Sequence, residues 1–303
     1  MSDTIEVARV QGFAASVHHL SQQNQSLLEG RVRMHQAVGK IEYFDRLSPS
    51  NMIQVTTRHG DTVWNDIAHT RRAAVKLDYS WSQPVDEEDE LELIIDPVGE
   101  YAIAASAAVG RRIDTTIVNA LNGTALTGEA GAGSQALPAG QIVNSGGTTQ
   151  LTLAAISSGM QIVYDTGAMI TPNDVTFVHH PAGLKHIIDD TPAGAFASSD
   201  FSSGGVMHAG QVRNYLGMLW VMLPDLVNNT GFGVLPNPAT DNVRCFIFHR
   251  NALGLAVWNR VSASIDKRPD KNNTTQVLVK TSIGAVRVED ELVVAVEVDE
   301  SGA

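Results

Sequence analysis

The chain has 303 residues, enough for one large domain or two modest ones and enough to bury a core without staples. Its net charge of −12 argues against the basic face of a sequence-specific DNA binder, and its single cysteine, Cys245, rules out an intrachain disulfide. There is no apolar signal region and no run of about 18 apolar residues, so a reducing compartment and no membrane span are expected.

The charge is uneven. Residues 1–85 carry nine Lys/Arg and eight Asp/Glu, so the acidity lies in the remainder, notably in DEEDELE (Asp86–Glu92). Residues 1–30 are weakly patterned, with Gln, Ser and His breaking any apolar face, and read as an extended arm with one short helix. Residues 31–95 read as β-rich. MIQVTT (Met52–Thr57) alternates, His59-Gly60-Asp61 offers a turn, and Thr70–Trp81 is extended again. This predicts a long hairpin whose exposed strands carry Arg58, Arg71, Arg72 and Lys76, either a protected edge or a docking device. The acidic run has six acids in seven residues but lacks the spacing and turn glycine of a calcium loop, so it reads as a solvated turn.

The stretch Asp96–Gly123 predicts one long helix. Asp96 suits the N-cap, Pro97 the first helical position, and Glu100 the positive end of the helix dipole. Ala102, Ala105, Val109, Ile113, Thr116, Ile117, Ala120 and Leu121 recur at helical spacing, and Asn122-Gly123 suggests a left-handed exit. Small residues crowd its first half. Gly110 costs about 1 kcal/mol against Ala in a helix interior, which predicts close contact there.

Asn122–Thr149, with seven glycines and no basic residue, reads as a loop or short hairpin rather than a phosphate cradle. Leu151–Asp165 predicts a helix buried through Leu153, Ile156, Met160, Val163 and Tyr164. Asp174–His180 reads as a strand and Pro181–Ile188 as a helix, an α/β pattern. Tyr215–Leu223 and Arg244–His249 read as apolar strands, and Thr191–Gln211 and Asn228–Asn242 as loops. Asn251–Trp258 is a short helix or a strand. Val261–Ile265 and Thr274–Lys280 predict a hairpin around a polar turn. Glu291–Val298 closes the chain as a strand expected to pack on the long-helix region.

Little here points to catalysis. His179 and His180 would face opposite sides of a strand, and no second ligand pair has metal spacing, so no metal is expected. Cys245 lies in an apolar run, where cysteine is usually inert. No nucleophile elbow and no dinucleotide glycine motif occurs, so no catalytic residue and no cofactor are expected.

Three stretches nonetheless line up in order: the Arg-containing hairpin, IIDPVGEYAIAASAAVGRRIDTTIVNAL, and SIDKRPDKNNTTQVLVKTSIGAVRVEDELVVAVEV. Together they resemble the major capsid protein of tailed bacteriophages. The resemblance implies an α+β fold: an N-terminal arm (1–33), an extended β-hairpin loop (34–81), and a peripheral domain (82–150) whose long spine helix spans 96–121. It further implies an α/β axial domain (151–242) and return strands (243–303) that complete both domains. It implies a structural protein, not an enzyme, that self-assembles through hexamers and pentamers into an icosahedral head shell in the host bacterial cytoplasm and resides in the virion. The implied partners are other copies of the chain, a separate scaffolding protein, the portal protein, packaged double-stranded DNA held non-specifically, and in some systems a decoration protein. Arg58, Gly60, Arg71, Arg72, Lys76, Trp81, Glu87 and Glu88 are the expected intersubunit contacts. An encapsulin-like compartment shell is the nearest alternative, and a cytoplasmic α/β hydrolase-like enzyme the alternative from another class.

Overall fold

The computed structural model describes residues 23, 25–85, 97–144, 149–168, 171, 174–190, 207–208, 211–212, 214–223, 242–271 and 273–299. In chain order the strands are β1 (Arg33–Gln36), β2 (Ile41–Leu47), β3 (His69–Val75) and β4 (Leu77–Val85). Helix α1 (Pro97–Asn122) comes next, then β5 (Ala125–Thr127), β6 (Gly133–Gln135) and β7 (Ile142–Val143). Helix α2 (Leu153–Asp165), β8 (Val175–His179) and α3 (Pro181–Asp190) follow. The short strands β9 (Met207–His208), β10 (Gln211–Val212) and β11 (Asn214–Tyr215) lead to β12 (Met218–Met222). The chain ends with β13 (Asn242–His249), β14 (Leu253–Arg268), β15 (Thr274–Arg287) and β16 (Val293–Asp299).

The described residues form three larger sheets and a two-stranded ribbon, β9-β10. The first has the order β1-β14-β15-β4, and α1 lies across it. The second, β2-β3-β5-β6, forms the base of the hairpin and packs against the first through Phe44, Ala74, Ala256, Val286 and Val288. Gly254 permits this contact: a Cβ there would lie 2.5 Å from the Phe44 ring. The third sheet runs β11-β12-β8-β13-β16-β7, with α2 packed on β13 and β16. Gly159 of α2 sits so close that a Cβ would approach Ile247 Cδ1 to 2.8 Å.

Helix α1 has the expected extent, and Ala105, Val109, Ile113, Thr116, Ile117 and Leu121 are buried, although Ala102 is exposed. At Gly110 a Cβ would come within 2.9 Å of Ser26 N, so the glycine admits the backbone of residues 25–26. Asp96 and Asp86–Glu92 lie outside the described residues. Gly123 does not take a left-handed conformation. Its N–H donates to Asn119 O at 2.8 Å, and a Cβ would collide with that carbonyl, so the glycine serves close approach.

Four other expectations change. Met52–Thr57 forms no strand; the hairpin strands are β2 and β3, and residues 48–68 between them are irregular. An alternating pattern needs a ladder partner, and this segment has none among the described residues. The strand expected over Thr70–Trp81 breaks at Lys76, so β3 and β4 enter different sheets. The closing strand β16 does not lie on the long helix; it pairs between β13 and β7 and packs on α2, while β14 and β15 lie on α1. Tyr164 is also half-exposed rather than core.

The last residues of the expected arm are not loose. Leu28 and Val32 are buried in the main core.

Candidate assembly surfaces

The root of the N-terminal segment is set by one carboxylate. Asp114 of α1 is fully buried and accepts from Leu27 N and Leu28 N, each at 3.0 Å, from Ser26 Oγ at 2.5 Å, and from Gln23 Nε2. Arg111, one turn earlier, donates to Gln23 O at 2.9 Å. Two helix residues three apart share a face, so this side of α1 holds residues 23–28 in one register.

The base of the hairpin is held by a second buried cluster. Arg72 of β3 donates to Asp290 Oδ2 at 2.5 Å, and Arg287 Nε donates to Asp290 Oδ1. Arg287 is fully buried. Its Nη1 donates to Leu121 O at 3.0 Å and Gly123 O at 2.8 Å, and its Nη2 to Gln135 O at 3.0 Å. A guanidinium here satisfies the orphan carbonyls at the end of α1 and meets the negative end of its dipole. Burial pushes the Arg72 guanidinium below its usual value, with Asp290 opposing that shift. Asp290 stands in the turn between β15 and β16, so one carboxylate ties the hairpin base to the end of α1 where the first and third sheets meet.

Sequence reasoning missed Asp114, Arg287 and Asp290. The available signal was a charged residue inside an apolar stretch, as in AVRVEDELVV, where a charge must be paired to be buried.

The expected contact residues separate. Arg58 and Gly60 are exposed on the loop 48–68. Arg71 is partly exposed; it bonds Asp45 Oδ1 at 3.1 Å and lies over the Tyr43 ring. Arg72 is not on an exposed strand face: it is 6% exposed and committed to Asp290. Lys76 pairs with Asp78 at 3.0 Å, and Trp81 packs against the core of its own chain. Glu87 and Glu88 lie outside the described residues.

The loop between β2 and β3 is the most open part of the described chain that also carries apolar side chains. Met52 is 99% exposed, Trp64 89% and Val55 84%, with Ile53, Val63 and Ile67 also exposed. Ser48 N donates to Ala68 O at 3.0 Å and closes the loop's neck. Exposed apolar side chains gathered on one loop make it a candidate interaction surface.

The polar clusters among the described residues are engaged within the chain. The cleft beside the hairpin base, about 670 Å³, is lined by Arg46, Arg71 and Arg72, but each guanidinium already meets a carboxylate. His179 stacks on Phe177 and meets Trp220 edge-on, and burial lowers its pKa below the usual value. His180 Nδ1 lies 3.4 Å from Cys245 Sγ. Among the described residues no group of three or more His, Cys, Asp or Glu could hold a metal ion, and no helix is long and apolar enough to cross a membrane.

A family model for phage capsid proteins matches residues 5–300. The chain belongs to the phage capsid protein family. It is a structural major capsid protein of the virion. Its fold is similar to the head structure of Helicobacter pylori bacteriophage KHP40, with a TM-score of 0.74 and 11% identity over 99% of each chain. It is also similar to the Cyanophage Pam1 capsid asymmetric unit, with a TM-score of 0.71 and 15% identity over 98% of each chain. For the capsid of Ralstonia phage GP4 the TM-score is 0.71 at 11% identity, over 97% of this chain and 96% of that one. Comparison with curated proteins returned no match. The fold is thus shared at identities of 11–15%, and the buried clusters at Asp114 and Asp290 are read from this chain alone.

Proposed function

We propose that this capsid protein assembles, through hexamers and pentamers, into the icosahedral shell of a tailed double-stranded DNA phage, and that its extended loop binds a neighbouring copy. The observation that carries this reading is the loop 48–68, whose apolar side chains have no cover among the described residues. Exposed Leu, Ile, Val or Trp side chains gain about 25 cal/mol per Å² when covered. A loop held rigidly at its base and uncovered at its tip is suited to gain that from a neighbour.

The region names follow from this reading: peripheral domain for α1 with the first sheet, axial domain for the third sheet with α2 and α3. Repeated weak contacts around a closed shell give high total stability. A separate scaffolding protein, a portal, non-specifically held DNA and a decoration protein are the further partners, with assembly in the host cytoplasm. Net negative charge on the inner wall would keep moving DNA from adhering; a net basic inner face in an assembled shell would refute that point. Arg58, Gly60 and Arg71 stay as proposed contacts, whereas Arg72 acts within its own chain.

Electron microscopy of the purified protein, with and without a scaffold, tests the reading. The expected result is rings or shells. A chain lacking residues 1–22 keeps the Asp114 anchor and is expected to fold and assemble poorly. Replacement of residues 49–67 by a short glycine turn is expected to leave a folded subunit that fails to form shells. Normal shells from that variant would end the role given to the loop.

A further inference from the structure

The ladder between β2 and β3 ends for a local reason. Its last register pair is Leu47 with His69, and one further bond runs from Ser48 N to Ala68 O at 3.0 Å. The next residue outward is Pro49, which has no N–H to donate. From Pro49 to Ala68 every residue is exposed, and no strand forms.

The two arms nonetheless meet once more. Asn65 Nδ2 donates to Asn51 O at 2.7 Å. The acceptor is a carbonyl, so only the NH2 end of the amide fits there. From Leu47 and His69, through Ser48 and Ala68, to Asn51 and Asn65, both arms advance equally. The side-chain bond therefore keeps the register of β2 and β3 where the ladder has stopped. That register sets Met52 opposite Trp64, one step beyond the bond. At 99% and 89%, these are the two most exposed large apolar side chains among the described residues.

We infer that Asn65 is a positioning residue of the assembly surface: its amide holds the two arms in register past Pro49, so that the free subunit offers Met52 and Trp64 as one apolar pair. The inference rests on the reading of the loop as an intersubunit element and deepens it by one residue. Arms that moved independently would have to be ordered at the moment of contact, and that ordering subtracts from affinity. A bond made beforehand removes part of this cost in every copy, and a shell repeats the gain at each contact.

Asn65 contributes its side chain to the bond, whereas Asn51 contributes only its backbone carbonyl. The two asparagines should therefore behave differently. Asn65→Ala and Asn65→Asp remove the donor, and Asn51→Ala keeps the acceptor. A hydrogen bond of this kind is worth roughly two- to tenfold in an equilibrium, so the critical concentration for shells should rise about threefold or more in both Asn65 variants. Asn51→Ala should assemble as the parent chain does, and all three free subunits should melt as the parent does. In parallel, Met52→Cys with Trp64→Cys should close a disulfide in free subunits at least fivefold faster than Ile53→Cys with Trp64→Cys, and lose that lead when Asn65→Ala is added. Cys245 is fully buried and stays out of this exchange. Normal shells from Asn65→Ala overturn the inference. So does equal failure of Asn51→Ala, which would make the asparagine side chains themselves the contact. Equal disulfide rates overturn the register, and a lowered melting point in Asn65→Ala would make the bond part of the subunit's own stability instead. Any of these, in a chain that still fails without residues 49–67, leaves the loop's intersubunit role standing. Normal shells without residues 49–67 overturn that reading and this inference together.

Discussion

The base and the tip of the extended loop are built on opposite terms. At the base, β3 lies in a four-stranded sheet, and Arg72 is locked to Asp290 beside a fully buried Arg287. At the tip, 21 residues later resumed by β3, the backbone has no ladder and Met52 is 99% exposed. The contrast separates two tasks. On the function proposed above, the root sets where the loop leaves the subunit, and the tip supplies surface for another molecule. Stability and assembly should therefore respond to different residues.

The largest effect is expected at the root. Asp290→Ala leaves two arginines buried without their carboxylate, and breaking a buried pair in this way costs about 3–5 kcal/mol. Chemical denaturation should show a lower midpoint with an unchanged slope. Limited proteolysis should then cut earlier near residues 69–75 if Asp290 anchors the hairpin. Equal protection there would limit Asp290 to the end of α1.

The arm root comes next. Asp114→Ala strips the acceptor from Leu28 N, a buried amide whose loss of a partner costs about 1–3 kcal/mol. Gly110→Val forces a side chain against the backbone of residues 25–26, with overpacking of about 1–3 kcal/mol. Both should speed hydrogen exchange at residues 27–28 while the third sheet keeps its protection. Uniformly faster exchange would mean that the root and the main core are one cooperative unit.

A smaller effect should come from pH. The buried His179 ring has a folded pKa below its ordinary value of 6.5. Below that value the unfolded chain takes up a proton that the folded chain resists, so this contribution is intact above about pH 6.5 and lost as pH falls. The slope from one such group is at most about 1.4 kcal/mol per pH unit. Urea midpoints at pH 8 and pH 5 should differ less in His179→Phe than in the parent chain; equal differences would remove His179 from the acid response.

The smallest change in stability is expected at the tip. Met52→Ser, Val55→Ser and Trp64→Ser remove side chains that touch little within the subunit, so stability should stay within about 0.5 kcal/mol. Assembly should drop sharply in the same variants, measured by sedimentation. Destabilised subunits would show that the tip packs on its own chain after all.

Local rules were enough for α1. Helical spacing from Ala105 to Leu121 and proline at its first position mark the helix, and Gly110 announced a close neighbour before that neighbour was known. The closing hairpin around Asp266–Asn273, strand β8 and helix α2 were equally legible from period and turn chemistry. Arg72 was not: its exposure depends on Asp290, which lies 218 residues away, and no periodicity reports such a partner. Met52–Thr57 has a strand's alternation, but a strand exists only with a ladder, and sequence does not say which molecule supplies it.

The amino-acid order by itself determined which segments are helical, which alternate, and where charge and glycine interrupt an apolar run, because those depend on near neighbours along the chain. Only the tertiary structure decided that β16 joins the third sheet, that Asp114 grips residues 23–28, and that Asp290 ties the hairpin base to the end of α1. Those outcomes depend on burial: a charged or polar group enters the interior only where distant parts of the chain bring it a partner.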